Sequence, residues 1–121
     1  MTSVYEQLVA DTLTEAGVKF KRQATFDGLL GIGGGKLRFD FMCESKDGRL
    51  VAIEYDGQQH FKPVKFSELN SEEKALEDFE KIVYHDELKN NFCVENNIEM
   101  YRLNGNISTQ DVLDIIELEQ L

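Results

Sequence analysis

Cysteine is scarce in this sequence. Cys43 and Cys93 stand far apart and outside any metal-type spacing, which argues against a disulfide framework. They read as two buried thiols, and a reducing, cytoplasmic setting is expected. Long apolar runs are missing too, so the sequence predicts neither a signal peptide nor a membrane span and no membrane partner. Positive charge is also short: 13 Lys and Arg face 23 Asp and Glu, for a net charge of −10. Broad electrostatic capture of nucleic acid calls for the opposite balance. The distribution softens that objection. Acids crowd Glu68 to Glu80 and Asp111 to Glu119, whereas Lys19, Lys21, Arg22, Lys62 and Lys65 form two short basic groups suited to a locally positive groove.

What is present suffices for one domain spanning 1–121. A chain of 121 residues with 41% hydrophobic content buries roughly two thirds of its unfolded surface without staples. Its most unusual stretch is Val51-Ala-Ile-Glu-Tyr-Asp-Gly-Gln-Gln-His-Phe61. Val51, Ala52 and Ile53 read as a buried strand, and Glu54, Asp56 and His60 follow where the strand gives way at Gly57. Acids in such a place need partners.

In chain order, Ser3 to Ala16 predicts a helix capped by Ser3 and ended by Gly17, with Val4, Leu8, Val9, Leu13 and Ala16 as its apolar face. Glu6 falls at the edge of that face. It reads either as a favourable first-turn acid or as one leaning toward the core. Val18 to Phe26 alternates apolar and polar residues, as a strand with one wet face does. Gly31-Ile-Gly-Gly-Gly-Lys36 lacks the phosphate-loop spacing, and Leu37 stands where Ser or Thr is required. A flexible connection that lies against DNA, or a loose hairpin turn, is the better account of it.

Lys36 to Glu44 and Leu50 to Tyr55 flank an Asp47-Gly48 turn, which predicts an antiparallel hairpin. A lone carboxylate within Leu37-Arg-Phe-Asp-Phe-Met42 is expensive to bury unpartnered. The hairpin register brings Asp40 roughly opposite the Glu54 end of the other strand, allowing for a bulge. Two carboxylates converging on a sheet suggest metal chemistry.

Beyond Lys62-Pro-Val-Lys65, an extended connector, Ser71 caps a helix that ends near Val83 or continues through Asn96 with a break near Tyr84. The charges of Glu72 to Lys81 read as its solvated face. In His85-Asp-Glu-Leu-Lys-Asn-Asn-Phe-Cys93, Leu88 and Phe92 mark a buried stripe, with His85, Asp86 and Lys89 on the same side. The ordinary alternative is a weak Asp86–Lys89 ion pair. A strand over Ile98 to Leu103 and a helix from about Ser108, with Val112, Leu113, Ile115, Ile116 and Leu118 as its apolar residues, complete the order α-β-β-β-α-β-α. This predicts an α/β domain with a mixed four-stranded sheet flanked by helices.

Leu37-Arg-Phe-Asp-Phe41, Ile53-Glu-Tyr-Asp-Gly-Gln-Gln-His-Phe61 and His85 to Cys93 together resemble the PD-(D/E)XK nuclease superfamily. The resemblance covers nearly the whole chain and is strongest to the Vsr-like endonucleases and their EDxHD homing-endonuclease relatives. It implies a restriction-endonuclease-like core and metal-dependent hydrolysis of DNA. Asp40 and Glu54 would be the metal carboxylates, the backbone carbonyl of Tyr55 a further ligand, and Glu6 would reach the site through water. Mg²⁺ or Mn²⁺ suits such oxygen donors. His60, Asp86 and Lys89 would orient water or the leaving oxygen, with Lys21, Arg22, Lys36, Lys62 and Lys65 toward DNA. Arg38-Phe39 replaces the expected proline, and Asp56 occupies the place of the usual catalytic lysine. Lys89 is the obvious substitute donor, with His60 the other candidate for proton transfer. Relative to mismatch-repair members, Asp56 replaces a histidine and the zinc-site cysteines are absent, which favours the homing-endonuclease-like branch. The rival expectation is a non-catalytic nucleic-acid-binding or protein-interaction domain that keeps the fold. The sequence shows no separate reader of base edges, which leaves that task to another domain or protein. Double-strand cleavage by one small site suggests a homodimer.

Overall fold

The computed structural model describes residues 3–56 and 72–121. His60, Lys62, Lys65, the connector containing them and the expected Ser71 cap lie outside those residues. The described elements are α1 (Val4–Glu15), β1 (Lys19–Ala24), β2 (Phe39–Glu44), β3 (Leu50–Asp56), α2 (Glu72–Glu95), β4 (Glu99–Asn104) and α3 (Thr109–Glu119). This is the expected α/β order.

Local chemistry sets the boundaries. The Ser3 hydroxyl accepts from the Glu6 N–H at 3.0 Å and caps α1. At the other end Gly17, with φ 73°, turns the chain so that Gly17 N–H reaches the Thr14 carbonyl and Val18 N–H the Leu13 carbonyl. Asn97, with φ 56°, closes α2 with the same pair of bonds, Asn97 N–H to Val94 and Ile98 N–H to Cys93. Between β2 and β3, Gly48 at φ 87° makes the turn, and Ser45 N–H bonds the Arg49 carbonyl at 2.8 Å. Ser108 and Asp111 form a reciprocal capping box at the start of α3.

The sheet runs β1-β2-β3-β4. Its first two pairings are antiparallel and the β3–β4 pairing is parallel, so α2 lies on the crossover between the parallel strands. One face packs on α1 and α3 through Val9, Leu13, Val112 and Ile115 against Phe41, Cys43, Val51 and Ile53. The other packs on α2 through Leu88, Phe92 and Cys93 against Phe39, Met42, Ala52 and Met100. Cys43 and Cys93 therefore sit on opposite faces as free buried thiols, pushed by burial up to about 12 and about 11. Among the described residues no helix is long and apolar enough to cross a membrane.

Several expectations shift. α2 is continuous through Tyr84 over 24 residues. Val4 and Leu118, expected on buried faces, are 78% and 71% exposed, and each sits in a terminal turn of its helix. β1 stops at Ala24 and β2 starts at Phe39; the glycine-rich segment between them is closed by a Leu30–Lys36 bridge and so is more ordered than a loose turn.

The central departure from regular pleating lies at Asp40. Phe20 and Phe41 belong to the α1/α3 face, whereas Ala24 and Phe39, each an even number of residues away, belong to the α2 face. Side chains of a regular strand alternate strictly, so both strands must change faces between these positions. The change falls at Gln23, which has φ 52°, and at Asp40, its neighbour across the strand pair. The register stays one-for-one on either side, so this is a local twist of both strands that re-aims their side chains.

Candidate active site at the end of the β2–β3 hairpin

The β2–β3 register ends with Phe41 opposite Ile53. One step further, Asp40 and Glu54 face each other, and side chains replace the ladder. Glu54 Oε2 accepts from Asp40 N–H at 2.9 Å, and Asp40 Oδ2 accepts from Tyr55 N–H at 2.9 Å. Each carboxylate thus caps a backbone donor of the opposite strand. This crossed arrangement ties both side chains to the same few backbone atoms where the ladder ends.

Glu54 is 3% exposed, and its Oε1 has no hydrogen-bond partner among the described residues. The charge there is met by an ion pair with Lys89 Nζ, delivered from α2. A carboxylate so deeply placed needs that cation. Lys89 is itself 9% exposed, and its Nζ lies 5.2 Å from the centroid of the Phe39 ring. Burial is the main cause that lowers its ammonium to about 8; Asp40 opposes the shift and Arg102 adds to it.

Glu6 is half-buried in the first turn of α1. Burial raises its pKa, and the nearby negative charge of Asp40 raises it further. Asp40 therefore acts on groups from both layers, Glu6 from α1 and Lys89 from α2. The change of faces at Asp40 accounts for that position.

Two residues beyond Glu54 lies a second charged group. Asp56 is 4% exposed, and Arg102 Nη1 lies 3.3 Å from its Oδ1. The same guanidinium reaches Asp86 Oδ1 at 3.4 Å, the Asp86 carbonyl at 3.4 Å and Asn90 Oδ1 at 3.0 Å. Sequence reasoning singled out Asp56 and Asp86 but missed Arg102. The parallel register is the signal that locates it, since Arg102 is the β4 partner of Glu54.

The structure thus gathers Asp40, Glu54, Lys89 and Glu6, and joins Asp56 to Asp86 through Arg102. The basic residues are more scattered. Lys21 is exposed on β1, Arg22 lies 5.3 Å from the Phe41 ring centroid, and Lys36 pairs with Asp27 at 2.7 Å. His85, on the expected side of α2, accepts from the Ile32 N–H at 3.0 Å and holds the glycine-rich segment. Gly31 packs closely there: an added Cβ would meet His85 Nε2 at 2.7 Å and Leu37 Cδ2 at 2.8 Å, and those side chains would have to shift.

Among the described residues no three His, Cys, Asp or Glu side chains form a metal cage. Magnesium does not demand one: it takes one or two carboxylates and keeps several waters. Two hard carboxylates, one with a buried oxygen lacking a hydrogen bond, fit that requirement. Compared with family models, curated proteins and solved structures, the chain finds no match.

Proposed function

We propose that the chain is a metal-dependent endonuclease that hydrolyses DNA phosphodiesters, of the homing-endonuclease or Vsr-like kind that its motifs resemble. The observation that carries this reading is the crossed meeting of Asp40 and Glu54 where the hairpin ladder ends, with a buried lysine beside them.

In this reading Asp40 and Glu54 hold Mg²⁺ or Mn²⁺, with the Tyr55 carbonyl as a further ligand and Glu6 acting through water. The bound ion supplies Lewis acidity, activating water and stabilising charge on the phosphate oxygens. Lys89 brings the positive charge that Asp56, in the usual lysine position, does not. Its lowered pKa leaves it ready to exchange a proton near neutrality. Glu6, raised by burial and by Asp40, holds a proton beside the site more readily than an ordinary glutamate. Asp86 keeps its place through Arg102, and His60 is assigned to proton transfer.

The test is incubation of supercoiled and linear DNA with Mg²⁺ or Mn²⁺. The parent is expected to nick or cut, and Asp40→Ala and Glu54→Ala each to lose at least about a thousandfold in rate, roughly 4 kcal/mol of barrier. Intact DNA in every reaction would refute the catalytic reading. One observation favours the non-catalytic domain as second reading: Asp56 is engaged by Arg102, so no lysine charge stands at that position. Such a domain gains no stability from Mn²⁺, whereas a metal site raises Tm with metal concentration.

A further inference from the structure

Glu54 has two oxygens and both are in use. Oε2 is fixed by the Asp40 N–H, so a cation bound to this carboxylate without breaking that bond must take Oε1. Oε1 is the oxygen that Lys89 Nζ holds. It is buried and, among the described residues, has no hydrogen-bond partner, so the ammonium is the charge that meets it. An ammonium and a divalent ion in contact with one buried oxygen repel each other strongly where water is excluded.

Lys89 makes two contacts at once, with Glu54 Oε1 and with the Phe39 ring. Its four-carbon stem carries a compact charge that pivots without moving the helix. The Phe39 ring lies 5.2 Å from Nζ and offers an aromatic face to the cation. Arg102, the β4 partner of Glu54, has its guanidinium engaged by Asp56, Asp86 and Asn90. Taking over Oε1 when Lys89 leaves would cost it those contacts.

We propose that Lys89 and a divalent cation are alternative occupants of Glu54 Oε1, so that metal enters by displacing the Lys89 ammonium. The displaced ammonium is then the charge that a substrate phosphate meets. A phosphate that accepts it strengthens metal binding, and metal strengthens phosphate binding to the same degree, since such coupling is reciprocal. This rests on the reading of Asp40 and Glu54 as metal ligands, and it adds that the site carries its own competitor.

The test counts bound Mn²⁺ by electron paramagnetic resonance in DNA-free protein, with no activity readout. Lys89→Met, which keeps the stem and removes the charge, is expected to bind Mn²⁺ at least about tenfold more tightly than the parent, the change that 1.4 kcal/mol of competition produces. Lys89→Gln is also expected to bind more tightly, and it serves as the neutral variant if Lys89→Met does not fold. Lys89→Arg retains a cation and is expected to bind no more tightly than the parent. Parent and neutral variant with equal affinity would overturn the exchange while leaving the metal site standing. Failure of all of them to bind Mn²⁺ would overturn the metal site itself, and the exchange with it.

Discussion

Glu54 and Asp56 lie two residues apart on the same face of β3, both almost wholly buried, yet their cations differ in kind. Glu54 meets one lysine from α2. Asp56 meets an arginine from β4 whose guanidinium also reaches Asp86 and Asn90. A lysine presents a mobile point charge, whereas the planar fork of arginine spreads several donors over fixed partners. The Arg102 group accordingly acts as a strut that fastens α2 to the sheet, and the Lys89 pair is the one built to change partners.

The largest expected effect separates these roles through stability. Arg102→Met and Lys89→Met each strand a buried carboxylate, and in metal-free buffer each is expected to cost about 3 kcal/mol. Saturating Mn²⁺ should return most of that loss to Lys89→Met, because the ion replaces the missing cation at Glu54. Arg102→Met should recover no more than the parent gains. Urea denaturation with and without Mn²⁺ measures both, and equal recovery would abolish the distinction.

The two groups were not equally legible in the sequence. Asp40 and Glu54 could be paired because an Asp-Gly turn and two-residue alternation set the hairpin register to within a bulge. Lys89 followed from helical spacing beside Leu88 and Phe92, together with the family resemblance. Arg102 did not, because an arginine on a strand ordinarily faces solvent, and only the parallel pairing across α2 puts it beside Asp56. The reversal of faces at Gln23 and Asp40 also lacked a signal, since neither glycine nor proline marks it and a glutamine carries the positive φ. Val4 and Leu118 show a related limit: helical periodicity gives a direction around the axis, but not how far the partner sheet extends along it.

A smaller change sharpens the arginine half of the comparison. Arg102→Lys preserves the charge and removes the fork, so Asp56 keeps a cation while the contacts to Asp86 and Asn90 weaken. The expected cost is about 1–2 kcal/mol, the range for losing charge-assisted hydrogen bonds without stranding the acid. Denaturation midpoints read it directly. A cost as large as that of Arg102→Met would mean that the fork itself, rather than its charge, satisfies Asp56.

The smallest effect concerns the other fastening of α2, four residues before Lys89. His85 Nε2 is the acceptor for the Ile32 N–H, so the imidazole must be unprotonated there. Its pKa is lowered, first by burial and then by Lys81, with Asp86 acting in the opposite sense. A histidine whose folded pKa is depressed contributes stability that is complete above its unfolded value near 6.5 and is lost as pH falls through the folded one. Acidification from about pH 7.5 to 5 should therefore lower the hydrogen-exchange protection factor of the Ile32 amide severalfold. Amides of the β2–β3 ladder, such as Cys43 and Ile53, should hold theirs, because no imidazole among the described residues holds them. Asp86→Asn removes a nearby negative charge that favours the imidazolium, so it should shift the loss at Ile32 to lower pH. An unchanged midpoint would show that the charge of Asp86 does not reach His85, leaving that acid wholly within the arginine strut.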